Sequence, residues 1–241
     1  MDFIALGHHG PYPVPDGACS SYIVRQGEKK ILFDIGTGTL PRLLKVLDPC
    51  CLDAIFISHW HADHCADLFP LSYYYQLNLE AGKKIKLYTI DTSASHLYQE
   101  AKNIPYFEWR EIGSAEEIAI GEMKIRTENA RHPIPALMFT VLAEQKKLVY
   151  TSDTNYFEAL PQFCAGADVL ICDACILHQN WNEQLPHLSA KLAGELAKQA
   201  DVKQLLLTHL SPLVHEELIF YEAFAVFERS SVVQTEKLYQ L

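Results

Sequence analysis

Ile55-Phe56-Ile57-Ser58-His59-Trp60-His61-Ala62-Asp63-His64 carries an apolar strand directly into a run of metal-ligand side chains. In extended chain, residues i, i+2 and i+4 point the same way, so His59, His61 and Asp63 converge on one side. A helix beginning at Asp63 turns His64 towards the same mouth. Imidazole and carboxylate are borderline-to-hard donors, the set that suits zinc, manganese or iron. A single histidine here would read as a surface turn. Four ligand residues packed into His59–His64 behind a buried strand read as a metal site.

Outward from this segment, short apolar runs alternate with helical patterns. Strands are predicted at 3–7, 22–25, 30–34, 54–57, 86–88, 123–128, 137–142, 147–151, 169–173 and 204–208. Helices are predicted at 40–47, 64–79, 93–102, 157–163, 189–199 and 215–227. Leu192, Ala193, Leu196 and Ala200 make one apolar helical face, with Ser189 placed to cap its N-terminus. Early strands come as hairpins and later ones are followed by helices. This indicates an α+β fold of mixed sheets covered by helices rather than a doubly wound nucleotide-binding sheet. Neither G-x-G-x-x-G nor G-x-x-x-x-G-K-[ST] is present.

Composition narrows the function classes. The 241 residues carry a net charge of −10, which gives no general attraction to nucleic acid or to an anionic membrane. Hydrophobic residues at 49% and charged residues at 21% are globular values that exclude a disordered chain. The absence of a linker-like stretch or an internal repeat suggests one domain over residues 1–241. No basic n-region and no long apolar span is seen, and the seven cysteines are scattered. A cytoplasmic chain with reduced thiols is the expectation.

H-x-H-x-D-H after an apolar strand resembles the metallo-β-lactamase fold superfamily. That pattern requires a further His, an Asp and a His, in that order, each near a strand end. His132, Asp153 and His209 supply them. The resemblance covers residues 2–212 and implies a four-layer αβ/βα sandwich of two mixed β-sheets flanked by helices. It also implies two divalent metal ions, zinc foremost, with manganese and iron also suited. His59, His61 and His132 would hold one ion, and Asp63, His64 and His209 the other, with Asp153 between them. Asp34, closing Ile31-Leu32-Phe33-Asp34, matches the superfamily's first motif and implies support of a ligand histidine. Asp67 is a weaker candidate for the same role.

The ligand identities select a branch. Relatives that cleave β-lactams with two metals usually carry Cys at the place of Asp153, and oxygen-reducing relatives carry Glu at that of His61. His187, in Pro186-His187-Leu188-Ser189 ahead of a small-residue helix, resembles the proton donor of the phosphodiesterase branch, which includes ribonuclease Z and small cyclic-phosphate diesterases. The resemblance implies hydroxide attack between the metals on a small, perhaps cyclic, phosphate diester, with Asp63, Asp153 and His187 as catalytic residues. A thioesterase or lactonase with the same ligands is the alternative. Ribonuclease Z inserts a long basic arm between the equivalents of His132 and Asp153. Here that span is only strand, turn and strand, so a small anionic substrate is expected and tRNA is not. A homodimer is the assembly common among relatives.

Other residues read more plainly. Cys172 and Cys175 form an isolated C-x-x-C and are read as buried thiols, as is Cys65. His8, His9 and His178 are candidates for substrate contact, and residues 176–186 for a lid. Tyr73, Tyr74 and Tyr75 are read as packing residues, and His96 and His215 as surface or capping residues.

Overall fold

The computed structural model describes residues 1–241. Its strands form two seven-stranded sheets. These belong to two compact units, residues 1–113 with 235–240 and residues 114–234 with 241.

In the first unit, β1 (Asp2–Gly7), β2 (Ser21–Gln26), β3 (Lys29–Phe33), β4 (Ala54–Ile57), β5 (Ile85–Thr89) and β6 (Phe107–Glu111) lie side by side in chain order. The last strand, β14 (Leu238–Gln240), adds to the free edge of β1. Pairing is antiparallel from β14 through β3 and parallel from β3 through β6. All four residues of β4 are buried, as expected for a central strand covered on both faces. Ile55 and Ile57 pack with Leu43 of α1 (Leu40–Val46), Leu68, Leu71 and Tyr75 of α3 (Leu68–Asn78), and Tyr98 of α4 (His96–Lys102). Phe56, pointing to the opposite face, stacks on Tyr88 with ring centroids 4.7 Å apart.

The helix expected over 64–79 is two helices, α2 (Ala62–Cys65) and α3. Pro70 explains the break. It has no N–H for the carbonyl of Ala66, and it sits in the first turn of α3, where that donor is not required. Tyr75 packs as expected, fully buried against Phe107, with its hydroxyl donating to the carbonyl of Pro49.

The second unit contains β7 (Glu117–Ile120), β8 (Met123–Asn129), β9 (Leu137–Ala143), β10 (Lys146–Tyr150), β11 (Val169–Asp173), β12 (Leu205–Thr208) and β13 (Ser230–Val232), again in chain order. Three antiparallel pairings are followed by three parallel ones, the same succession as in the first sheet. Leu160 and Cys164 of α5 (Leu160–Cys164), Ala193, Leu196 and Ala197 of α6 (Ala190–Gln199), and Ile219 and Ala223 of α7 (Glu216–Phe224) cover the sheet. Ser189 caps α6 as expected, its hydroxyl oxygen accepting from the N–H of Leu192 at 3.2 Å. A Cβ at Gly194 would approach the Ala223 carbonyl to 2.9 Å, so glycine permits the close approach of α6 and α7.

The β9–β10 connection is a two-residue hairpin. Glu144 and Gln145 have φ of 50° and 62°, the left-handed pair of a type I′ turn. The structure is thus α+β, with two mixed sheets flanked by helices, as the sequence indicates. Strands β6, β7, β13 and β14 were not expected. No helix is long and apolar enough to cross a membrane.

Candidate metal centre

In the first unit, the ligand run leaves the buried end of β4. Trp60 turns inward, where its ring stacks on Trp109 and its Nε1–H donates to Thr89 Oγ1 at 2.7 Å. His59 and His61 therefore project together, and Nε2 of His59 lies 3.1 Å from Nδ1 of His61. Two imidazole nitrogens sharing a tetrahedral zinc, with bonds of about 2.0–2.1 Å, sit roughly 3.3 Å apart. Asp63 and His64 lie on α2, with Asp63 Oδ2 3.7 Å from His64 Nε2.

Asp34 holds this run from behind. One carboxylate oxygen accepts from the Ser58 backbone N–H at 2.7 Å. The other accepts from the Ser58 hydroxyl at 2.8 Å and from His64 Nδ1–H at 2.7 Å. The Ser58 oxygen in turn lies 3.0 Å from His59 Nδ1, from which it accepts. Protons fixed on both Nδ1 atoms leave the lone pairs on Nε2, the form in which imidazole ligates a cation. Asp67 does something different. It accepts from the backbone N–H of Leu40, Gly38 and Thr39 and so shapes the loop entering α1.

In the second unit, Asp153 follows β10, His209 follows β12 and His132 lies in the β8–β9 connection. His209 Nε2 is 3.2 Å from Asp153 Oδ2, a spacing that one cation accepts from two ligands. The His187 ring stacks on that of His209 at 4.8 Å and lies 5.8 Å from that of His132. His187 Nδ1–H donates to Asp173 Oδ2 at 2.8 Å. Asp173 also accepts from the backbone N–H of Thr154 and of Cys175. Asp153, Asp173, His187 and His209 bring ligand atoms within 4.8 Å of one another. Imidazoles such as those of His59 and His64, whose Nδ1 atoms face a hydroxyl and a carboxylate, together with the carboxylates of Asp63 and Asp153, are a donor set that fits divalent cations of the zinc, manganese or iron type.

Asp173 is a candidate that the sequence reading does not single out: it stands there only as the end of the strand 169–173 and inside Cys172-Asp173-Ala174-Cys175. The available signal was an acid closing an apolar strand, Val169-Leu170-Ile171-Cys172-Asp173, just as Asp34 closes Ile31-Leu32-Phe33. Strain marks the ends of β3, β10 and β12. Asp34, Ser152 and His209 have φ of 55°, 53° and 55°, left-handed values that cost non-glycine residues about 1–3 kcal/mol and concentrate at functional sites.

The profile of the beta-lactamase superfamily domain matches residues 29–210. The chain belongs to this superfamily. It is 27% identical over 227 residues to the probable metallo-hydrolase YhfI of Bacillus subtilis, covering 90% of this chain and 91% of YhfI. Ribonuclease Z of Methanopyrus kandleri is 25% identical over 262 residues, covering 92% and 91% of the two chains. Among solved structures of the superfamily fold, YhfI superposes with a TM-score of 0.92 at 24% identity, covering 99% of this chain and 98% of that one. A diphosphatase of the PhnP family superposes with a TM-score of 0.82 at 18% identity, covering 100% and 97%. As a superfamily member with metallo-hydrolase relatives, the chain is a metal-dependent hydrolase.

The remaining candidates make the following contacts. His178 Nδ1 is 3.0 Å from Ser189 Oγ, its ring stacks on Trp181, and its backbone N–H donates to Glu222. His8 and His9 stack on each other, and both backbone N–H groups donate to the carbonyl of Ala18. Cys65, Cys172 and Cys175 are buried free thiols. His96 is exposed, and His215 is the exposed N-cap of α7.

Proposed function

We propose that residues 1–241 work as one hydrolase domain that binds two divalent ions, zinc foremost, and cleaves a small phosphate diester. In this reading His59, His61 and His132 would hold one ion and Asp63, His64 and His209 the other, with Asp153 a ligand available to both. Bound divalent ions would supply a water acidified towards neutrality and neutralise charge on the phosphoryl oxygens.

The observation that carries the reading is the Asp173–His187 pair beside His209 and His132. Asp173 fixes a proton on His187 Nδ1 and favours the imidazolium. His187 then carries a second proton on Nε2 and donates it to the departing oxygen. Such donation is worth about 10²–10⁴ in rate when the leaving group is poor. Acyl thioesters leave as stable thiolates and have little use for it. The names ribonuclease Z and diphosphatase among the relatives point the same way.

A small substrate fits two further observations. The span from His132 to Asp153 is occupied by a tight β-hairpin, with no inserted arm to hold tRNA. A cavity of about 290 Å³ beside His132, lined by Arg131, Pro133, Leu185 and Pro186 among others, suits a group of sugar or aryl size. The −10 charge disfavours polynucleotides, while cations at the site would draw a compact anion.

The test is metal analysis of the purified protein with parallel assays on bis(nitrophenyl) phosphate, cyclic nucleotides, a ribose cyclic phosphate, a diphosphate, a glutathione thioester and an acyl lactone. Two ions per chain and preference for diesters is the expected result. Preference for the thioester or lactone would overturn it.

A further inference from the structure

We infer that Asn155, with Arg131 and Trp181, is a positioning residue for the proton donor: it ties the segment that carries His187 to the segments that carry Asp153 and His132. The inference rests on the reading of His187 given above. Asn155 is 1% exposed, two residues beyond Asp153. Its Nδ2 donates to the carbonyls of Leu185, Glu183 (3.3 Å) and Asn182 (3.4 Å). Its Oδ1 accepts from Trp181 Nε1–H at 3.2 Å, and that indole N–H is shared with the carbonyl of His187 itself at 3.1 Å. Its backbone N–H donates to the carbonyl of Arg131, the residue before His132. The Arg131 guanidinium closes the loop, donating to the carbonyls of Tyr156 at 2.7 Å and Glu183 at 3.0 Å.

This arrangement is more than loop solvation. A surface segment satisfies its carbonyls with water, but three carbonyls of residues 182–185 converge on one buried amide that is two residues from a ligand. Residues 181–185, within the stretch expected as a lid, are held there. His187 is held at its ring by Asp173, at Nδ1, and at its backbone by Trp181, which donates to its carbonyl. A proton donor needs such fixing, because a displacement of about 1 Å at a reacting group costs on the order of a hundredfold in rate.

The experiment is a leaving-group series of aryl and alkyl phosphodiesters, assayed with metal-loaded wild type, Asn155→Ala, Trp181→Phe, His187→Ala and the Asn155→Ala/His187→Ala double variant. Metal content and melting temperature are measured alongside. Asn155→Ala should keep its metals and lose roughly 10- to 100-fold in kcat on the alkyl leaving group, but only about threefold on nitrophenol. In the His187→Ala background it should have no further effect. Trp181→Phe removes the indole donor while keeping an aromatic ring against His178, and should show the same pattern in weaker form. It serves as the test if Asn155→Ala fails to fold. Equal losses across all leaving groups, or additive losses with His187→Ala, would overturn the inference. If His187→Ala itself shows no leaving-group dependence, the proton-donor reading fails first. If it does and Asn155→Ala does not, only the positioning role fails.

Discussion

Asp34 Oδ2 lies 2.7 Å from Nδ1 of His64, and both side chains are fully buried. The same carboxylate fastens Ser58, whose hydroxyl steadies His59. Asp34→Ala removes three hydrogen bonds at once and leaves their donors buried. Its metal affinity should fall about 10- to 100-fold. Its metal-free form should lose stability, by about 1–3 kcal/mol for each buried donor left unsatisfied. Metal titration and denaturant melts of apo protein check the two effects separately.

The second unit offers a contrast. Asp153→Ala removes a proposed metal ligand and should abolish metal binding and turnover together. Asp173→Asn keeps the size of a side chain that holds His187 and should retain metal. It should lose rate mainly on poor leaving groups, because the amide no longer favours the imidazolium. Elemental analysis and the leaving-group series separate the two variants. Equal metal loss in both would contradict the separate roles.

Gly36 offers no room for a methyl group. A Cβ there would stand 1.8 Å from the carbonyl oxygen of Asp63 and 2.7 Å from Cβ of Cys19. Backbone cannot yield as a flexible side-chain tip can. Gly36→Ala should therefore destabilise the first unit by about 1–3 kcal/mol or more and displace the Asp63 segment. A lowered melting temperature with weakened metal binding is expected.

The Glu144–Gln145 hairpin holds two left-handed residues that lack glycine's freedom. Replacing the pair with Asn-Gly, the preferred type I′ dipeptide, should raise stability by roughly 1–2 kcal/mol. Turnover should not change. Urea denaturation midpoints provide the measurement.

Burial also sets thiol behaviour. Cys164 is pushed up to about 12 by desolvation, which Lys147 only partly offsets. At pH 8 its thiolate fraction is on the order of 10⁻⁴, so it should resist thiol reagents, while exposed Cys51 reacts. The linkage has a definite sign. A pKa raised by folding contributes stability below the unfolded value, near 9, and loses it as the pH rises towards 12. Denaturation midpoints should fall over that window, and Cys164→Ala should flatten the fall.

The legibility of the sequence followed the range of each interaction. The strand Ala54–Ile57 and the ligands behind it were readable because period-two alternation is local, and Trp60 facing away from His59 and His61 is that alternation realised. Asp34 was readable from its strand-closing position. Asp173 holds the same position, yet its duty depends on His187, fourteen residues on, and the neighbouring cysteines drew attention instead. Asn155 is recognisable only once its three carbonyl partners are folded onto it. Strands β6 and β7 lie at sheet edges and mix charge with apolar residues, while β13 and β14 are three residues long, too short for any period to show.

The pairing of β14 with β1 has a consequence for synthesis on the ribosome. Asp2 opposes Gln240, and Phe3 stacks on Tyr239 at 4.6 Å. β1 is thus made well before β14, the strand that satisfies its outer edge. Until then the nascent chain presents a row of unpaired backbone groups with an apolar flank, the state in which strands recruit unintended neighbours. That exposure therefore lasts until β14 is made, even though β4 and α2, which present His59, His61, Asp63 and His64, are made far earlier.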